Sequence, residues 1–294
     1  MRIVRNIYVL VLVVVLSTVD IQGTTETHSD LLPTDCGTSI NTGGIPSVAR
    51  YPWMAILRYN TSGGFLDACV GTLINRRYVL TAGHCLANKH VQLHKVILGE
   101  FDKSQDIDCN FNQDTREQSC VGPIEEFGIE SVQVHPDHSP RKRHSDIGLI
   151  RLDRDVTMKD HIRAVCLPVT SELRDRVDES YIVTSWKWDL TSSSDILQKV
   201  VVPRITVPDC QRIFDEKNAE VVLNNEHICT EGSAEICRGS AGAPLGNTVL
   251  LNGERFVQFG FVSFGSLQCE DTSVPEVYTR VASYMDWITN TIKP

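Results

Sequence analysis

The chain has 294 residues, 41% of them hydrophobic and 22% charged, with a formal net charge of −9. That length is enough for one large domain or two modest ones around a real core, and the composition is that of an ordinary globular protein. The acid excess argues against nucleic acid as the main partner, because phosphate binding needs a basic face.

In chain order, Arg2 and Arg5 precede a short apolar run at residues 7–16, and polar residues begin at Ser17. The run is short of the about 20 residues a spanning helix needs, so residues 1–22 are expected to be a signal peptide, removed near Gly23. No later stretch approaches transmembrane length, so no membrane span is expected. The secretory route suits the ten cysteines, an even number. Asn60-Thr61-Ser62 is an N-glycosylation sequon usable only in that compartment. Residues 24–35 are polar and without hydrophobic period, so residues 23–39 are read as a flexible leader and residues 40–294 as the domain.

From Tyr51 onward, short β-branched or aromatic runs recur between Gly, Asn, Asp and Pro. They fall at residues 54–59, 71–74, 78–81, 96–98, 129–135, 148–152, 181–186, 197–205, 256–264 and 277–281. Many short strands separated by turn signals predict an all-β barrel or sandwich. Residues 281–288 instead place apolar side chains at helical spacing, which predicts one C-terminal helix.

The strongest local signal is Thr81-Ala82-Gly83-His84-Cys85, directly after the apolar Tyr78-Val79-Leu80, with Asp146-Ile147-Gly148-Leu149-Ile150-Arg151-Leu152 well downstream. That pairing resembles the chymotrypsin/trypsin family of serine proteases, in which TAAHC carries the general base and DIALL the orienting aspartate. Tyr51-Pro52-Trp53, Ala164-Val165-Cys166-Leu167-Pro168, Val262-Ser263-Phe264-Gly265 and Pro275-Glu276-Val277-Tyr278-Thr279 extend the resemblance, in order, over roughly residues 40–294. It implies two six-stranded antiparallel β-barrels, a C-terminal helix and a cleft between the barrels. It also implies the disulfides Cys69–Cys85, Cys210–Cys229 and Cys237–Cys269, with Cys36 tying the leader to Cys166. Cys109–Cys120 would close an extra loop, as in the catalytic domains of arthropod clip-domain proteases.

Catalysis in this family needs a serine hydroxyl to attack, a histidine to take its proton and a buried aspartate to fix the histidine tautomer. The serine lies in C-x-G-D-S-G-G-P. Here that segment reads Cys237-Arg238-Gly239-Ser240-Ala241-Gly242-Ala243-Pro244. Cysteine and proline register without gaps, so Ala241 stands at the nucleophile position of a triad whose other members are His84 and Asp146. Ser240 replaces the aspartate that pairs with the new amino terminus after activation. Residues 39–44, Ser-Ile-Asn-Thr-Gly-Gly, also lack a basic residue where family zymogens are cut before I-V-G-G. The resemblance therefore implies an uncut, non-catalytic homologue. The competing expectation is a weak or atypical hydrolase using Ser240, one residue early. His84 and Asp146 would then either shape a peptide-binding cleft or persist as packed, hydrogen-bonded residues.

By the same resemblance, Glu235, Ser263, Gly265 and Glu276 occupy the specificity-pocket positions. Glu235 stands at the specificity aspartate and Glu276 at a wall glycine. The slot is either a cation site or filled, and the lost glycine together with two like charges favours a filled one. Arg141, Lys142, Arg143 and His144 form a basic loop beside the cleft: an acidic-partner or lectin-like surface, a cleavage site, or a solvated loop. Glu100 and Asp102 lie in a loop that binds calcium in some relatives, and their oxygens suit that ion; no other cofactor is expected. The expected role is a secreted regulator or cofactor in an extracellular innate immune or melanisation cascade. Its expected partners are proteases, zymogens or inhibitors.

Overall fold

The computed structural model describes residues 29–39, 49–87, 91–111, 116, 118–186, 195–234, 236, 240–266 and 271–294. The expected signal peptide, residues 40–44, Glu235 and the Cys237–Cys269 pair lie outside them.

The described residues of the first half form nine strands: β1 (Met54–Thr61), β2 (Gly64–Leu73), β3 (Tyr78–Thr81), β4 (Gln92–Leu98), β5 (Cys109–Phe111), β6 (Gln118–Cys120), β7 (Glu125–Phe127), β8 (Ile129–Val134) and β9 (Gly148–Leu152). Seven of them make one antiparallel sheet in the order β7-β4-β1-β2-β3-β9-β8, while β5 and β6 pair with each other. The second half supplies β10 (Ser180–Ser185), β11 (Gln198–Ile205), β12 (His227–Thr230), β13 (Pro244–Leu250), β14 (Glu254–Phe264) and β15 (Glu276–Arg280). These close into a barrel in the order β10-β11-β12-β15-β14-β13.

Two six-stranded antiparallel barrels were expected, and the two barrel-like sheets have seven and six strands. The extra strand comes from one bend. β7 and β8 are consecutive pieces of chain separated only by Gly128. β7 pairs with β4 and β8 with β9, so the two edges of the sheet are the same run of backbone. Gly128 turns there against Asp153: its carbonyl accepts the Asp153 N–H at 3.0 Å, and an added Cβ would lie 2.6 Å from Asp153 Oδ2. The bend lets the sheet curl and cover its own edges.

The sequence pattern explains the strands that hold the site. β3 and β9 carry consecutive rather than alternating apolar residues, broken in β9 only by Arg151, and both are buried almost throughout. Strands covered on both faces read that way. Leu80, Leu149 and Ile150 are fully buried, and each contributes about 1.5–3 kcal/mol by leaving water. β14 is buried over most of its length and carries Phe259, Phe261 and Val262 into the core.

Polar contacts cross between the halves. Thr72 Oγ1 donates to Gln258 Oε1 at 2.7 Å inside the core, the Gln258 N–H donates to the Cys166 carbonyl, and the Val165 N–H to the Leu73 carbonyl. Cys36 is bonded to Cys166, so the leader is stapled to this junction.

Three short helices lie outside the strands: α1 (Gly83–Ala87), α2 (Ser171–Arg174) and α3 (Val207–Glu216). α3 was not foreseen. Its signals are an N-cap, Thr206, whose hydroxyl accepts from the Asp209 N–H, and a proline in its first turn. Its apolar face holds Cys210 and Phe214, and the Cys210–Cys229 disulfide fixes it to β12. The expected C-terminal helix begins as a 3₁₀ turn (Val281–Tyr284) and continues as α4 (Met285–Thr291), with Met285, Ile288 and Thr289 facing inward.

Candidate active-site cleft

β3 runs into α1, and that step sets His84 at the junction of the two halves. Two contacts hold α1 there: the Cys69–Cys85 disulfide to β2, and the Tyr59 hydroxyl donating to the Cys85 carbonyl at 3.0 Å. Asp146 arrives from the other side, just before β9. One carboxylate oxygen, Oδ1, accepts the His84 backbone N–H at 2.8 Å, and the other, Oδ2, lies 2.9 Å from His84 Nδ1. A carboxylate only accepts, so Nδ1 carries the proton and Nε2 is left as the acceptor. Ser263 Oγ also donates to Oδ2, and Thr279 Oγ1 donates to the Asp146 carbonyl at 2.9 Å.

Asp146 is buried, its side chain 6% exposed, whereas His84 is 39% exposed. Burial alone pushes the Asp146 carboxyl upward. The bonds and the charge interaction with His84, together with the Ser263 bond, outweigh it and hold the group below the ordinary carboxylate value. The pair is therefore an ionised, fully bonded carboxylate orienting an imidazole toward a cleft.

The cleft has a volume of about 280 Å³. His84, Asp146, Ala241, Ser263, Gly265 and Glu276 all line it. The structure thus brings together the three positions expected for the triad and three of the four expected for the pocket. At 241 the side chain is a methyl group. The segment around it is tightly held: the Ala241 carbonyl accepts the Val70 N–H at 2.9 Å, and Gly242 has φ +83°. A Cβ on Gly242 would lie 2.0 Å from the Val70 carbonyl oxygen, so glycine is required there. Ser240 is 0% exposed and is not part of the cleft lining; its Oγ has no hydrogen-bond partner among the described residues.

Glu276 opens β15 and is 4% exposed. Its carboxylate packs against Gly265 so closely that a Cβ there would be 1.8 Å from Oε2. Burial pushes its pKa up to about 8, against a backbone hydrogen bond from Ser266 that lowers it. At neutral pH it is therefore mostly protonated, a neutral acid in the cleft wall.

His138 was not foreseen as a cleft residue, whereas Arg143 belongs to the basic loop expected beside the cleft. His138 and Arg143 line the cleft, as does Phe264. His138 has a side chain 6% exposed with Nδ1 3.8 Å from Asp146 Oδ1, and neither ring nitrogen has a hydrogen-bond partner among the described residues. It lies eight positions before Asp146, and only the returning turn carries it inward. Arg143 was read as part of a basic loop. That loop is a tight turn closed by the Ser139 N–H donating to the His144 carbonyl at 3.1 Å, with Arg141 and Lys142 exposed. Arg143 itself has φ 55°, its guanidinium lies 4.5 Å over the Phe264 ring, and its carbonyl is 3.2 Å from His227 Nε2.

The remaining expected sites lie elsewhere. Asn60 is exposed at the end of β1. Asp102 spends its two oxygens within its own loop, accepting from Ser104 N and Oγ and from Gln105 Nε2. Glu100 Oε1 accepts the Phe101 N–H, and burial and the neighbouring Asp108 push its pKa up to about 7. Glu100 and Asp102 form no cluster at metal-ligand spacing with other such groups among the described residues. Cys109 is bonded to Cys120 and closes the β5–β6 loop.

Comparison with known proteins sharpens these observations. The sequence pattern of the trypsin family matches residues 41–288. The chain is 36% identical to the CLIP domain-containing serine protease HP8 of Bombyx mori, over 90% of this chain and 74% of that protein. It is 34% identical to phenoloxidase-activating factor 3 of Holotrichia diomphalia, over 92% of this chain and 79% of that protein. Among solved structures, the Drosophila Grass clip serine protease of the Toll pathway superposes with a TM-score of 0.75 at 31% identity, covering 87% of this chain and 74% of that one.

Proposed function

The chain belongs to the trypsin family of serine proteases, and from that premise we propose that it is a non-catalytic member that acts by binding other proteins. The observation that carries the proposal is Ala241, whose methyl group lines the cleft beside the bonded His84–Asp146 pair. A methyl group has neither a proton to surrender nor an electron pair to attack a carbonyl, and the oriented imidazole has no nucleophile to activate there. The burial of Ser240 counts against its use as a substitute.

Activation is missing as well. Residues 39–44 offer no basic residue for a tryptic cut, and Ser240 stands where the family's buried aspartate would pair with the freed amino terminus. A carboxylate kept without its cation would be costly to bury, so the two losses suit each other. The obstructed slot at Glu276 argues in the same direction.

The place of action we propose is extracellular. The four disulfides among the described residues favour an oxidising compartment, as does the leading apolar segment. Relatives that include a phenoloxidase-activating factor and a protease of the Toll pathway support a role as cofactor or regulator in an immune protease cascade. Proteases, zymogens or inhibitors of that cascade are the proposed partners, and Asn60 is proposed to carry a glycan.

A fluorophosphonate probe tests the core of the proposal. No labelling is expected on the secreted protein, before or after exposure to a trypsin-like protease. Covalent labelling at Ser240 or at any other serine of the cleft would overturn it.

A further inference from the structure

Protease clefts of trypsin type are expected to take a basic side chain, and the groups lining this one point the other way. Arg143 is the fixed charge at its rim. Among the described residues no carboxylate pairs with its guanidinium, which instead lies 4.5 Å over the Phe264 ring. Its backbone is in the left-handed region at φ 55°, an unfavourable state for arginine, and its carbonyl is 3.2 Å from His227 Nε2. The side chain is thus presented on a constrained turn against an aromatic surface, which lowers the cost of ordering it when a ligand arrives.

His138 is the second group. Its imidazole is part of the cleft wall, with both nitrogens buried and Nδ1 3.8 Å from Asp146 Oδ1, so it sets a polar group beside that carboxylate without offering a free donor to a ligand. The two acidic groups of the cleft do not oppose an anion at full strength. Asp146 is already bonded to His84 and Ser263, and Glu276 is mostly neutral at neutral pH. Arg141 and Lys142, exposed on the same turn, add positive charge outside the rim. The wall between is apolar, with Pro140, Ile236 and Val262.

We propose that the cleft binds a peptide segment through an acidic side chain, a glutamate or aspartate whose carboxylate meets the Arg143 guanidinium, with apolar neighbours on the wall. This rests on the cleft being a binding surface rather than a catalytic one. Arginine suits the task because its planar fork matches a carboxylate and stacks on an aromatic ring at once.

The test uses the full secreted protein and fluorescein-labelled, C-terminally amidated hexapeptide mixtures. One central position holds Glu, Gln or Lys, and the other positions vary over uncharged residues. Fluorescence polarisation is expected to show the Glu mixture binding at least about 10-fold tighter than the Gln mixture, the range of a charged hydrogen bond. The Lys mixture is expected to gain nothing. Arg143→Asn, chosen because asparagine tolerates the left-handed backbone, is expected to abolish the preference, and Arg143→Lys to retain part of it. A preference for Lys, no preference in the wild-type protein, or an unchanged Glu preference in Arg143→Asn would overturn the proposal. So would binding confined to peptides with a free C-terminal carboxylate. Fluorophosphonate labelling of the same preparation separates the two ideas: labelling sinks the non-catalytic reading, whereas an unlabelled protein without acidic preference sinks only the choice of ligand.

Discussion

Replacing Glu276 by glutamine should remove a pH-dependent weakness from the fold. The carboxyl is 4% exposed, packed on Gly265, and raised by burial from an ordinary 4.5 to about 8. Each pH unit between folded and unfolded pKa is worth about 1.36 kcal/mol, so the whole interval amounts to about 5 kcal/mol. The sign follows from proton binding. Below pH 4.5 the acid is protonated in both states and has no effect. As pH rises, the unfolded chain loses the proton first, so stability declines until the folded protein also ionises, near pH 8, and the full cost is then present. The slot opens on the cleft, where water can reach an ionised carboxylate, so about 5 kcal/mol is a ceiling. Glutamine copies the shape of the protonated acid without its proton chemistry. Thermal unfolding of both proteins from pH 4 to pH 10 checks this. The curves should meet at pH 4 and diverge progressively from about pH 5, with the Glu276→Gln protein ahead by as much as about 10–20 °C at pH 9. Parallel curves, or a wild-type advantage at pH 9, would show that this carboxyl is not held in its protonated form.

Three further outcomes follow from the same geometry. Gly265→Ala places a methyl where Glu276 Oε2 lies 1.8 Å away and should destabilise the protein by about 1–3 kcal/mol. Glu276→Ala in the same chain should restore most of that loss, and strict additivity in a denaturant-unfolding cycle would contradict the contact. Ala241→Ser should give no fluorophosphonate labelling and only background amidase activity, because Ser240 still occupies the place of the activation partner; labelling at a trypsin-like rate would show that the hydroxyl was the only part missing. Replacing both Cys69 and Cys85 by alanine opens a crosslink between residues 16 apart and should cost about 3 kcal/mol, or about 6–12 °C in Tm by differential scanning fluorimetry.

Local chemistry made much of this protein legible in its sequence. The apolar runs at 78–81 and 148–152 coincide with β3 and β9, because strands buried on both faces carry their signal in every residue. The motifs around His84, Asp146 and Ala241 identified the cleft positions, since each motif is itself a turn or strand end that the chemistry requires. Strands β5, β6, β7, β12 and β13 and helices α1, α2 and α3 were missed. His227–Thr230 is only four residues long, β13 alternates weakly, and α3 rests on a cap and a disulfide rather than on a long apolar period.

What the sequence by itself determined is the residue at each motif position: a methyl at 241, a hydroxyl at 240, a carboxyl at 276. What only the tertiary structure decided is what surrounds them. The burial of Ser240, the packing of Glu276 on Gly265, and the meeting of His138, Arg143 and Glu276 at one cleft depend on segments far apart in the chain, which no local pattern encodes. The single bend at Gly128, which turns one run of chain into both edges of a sheet, is of the same kind. A side chain's identity is written in the sequence, but its desolvation and its neighbours are set by segments that meet only after folding, and those two quantities fix the charge of Glu276 and the burial of the His138 nitrogens.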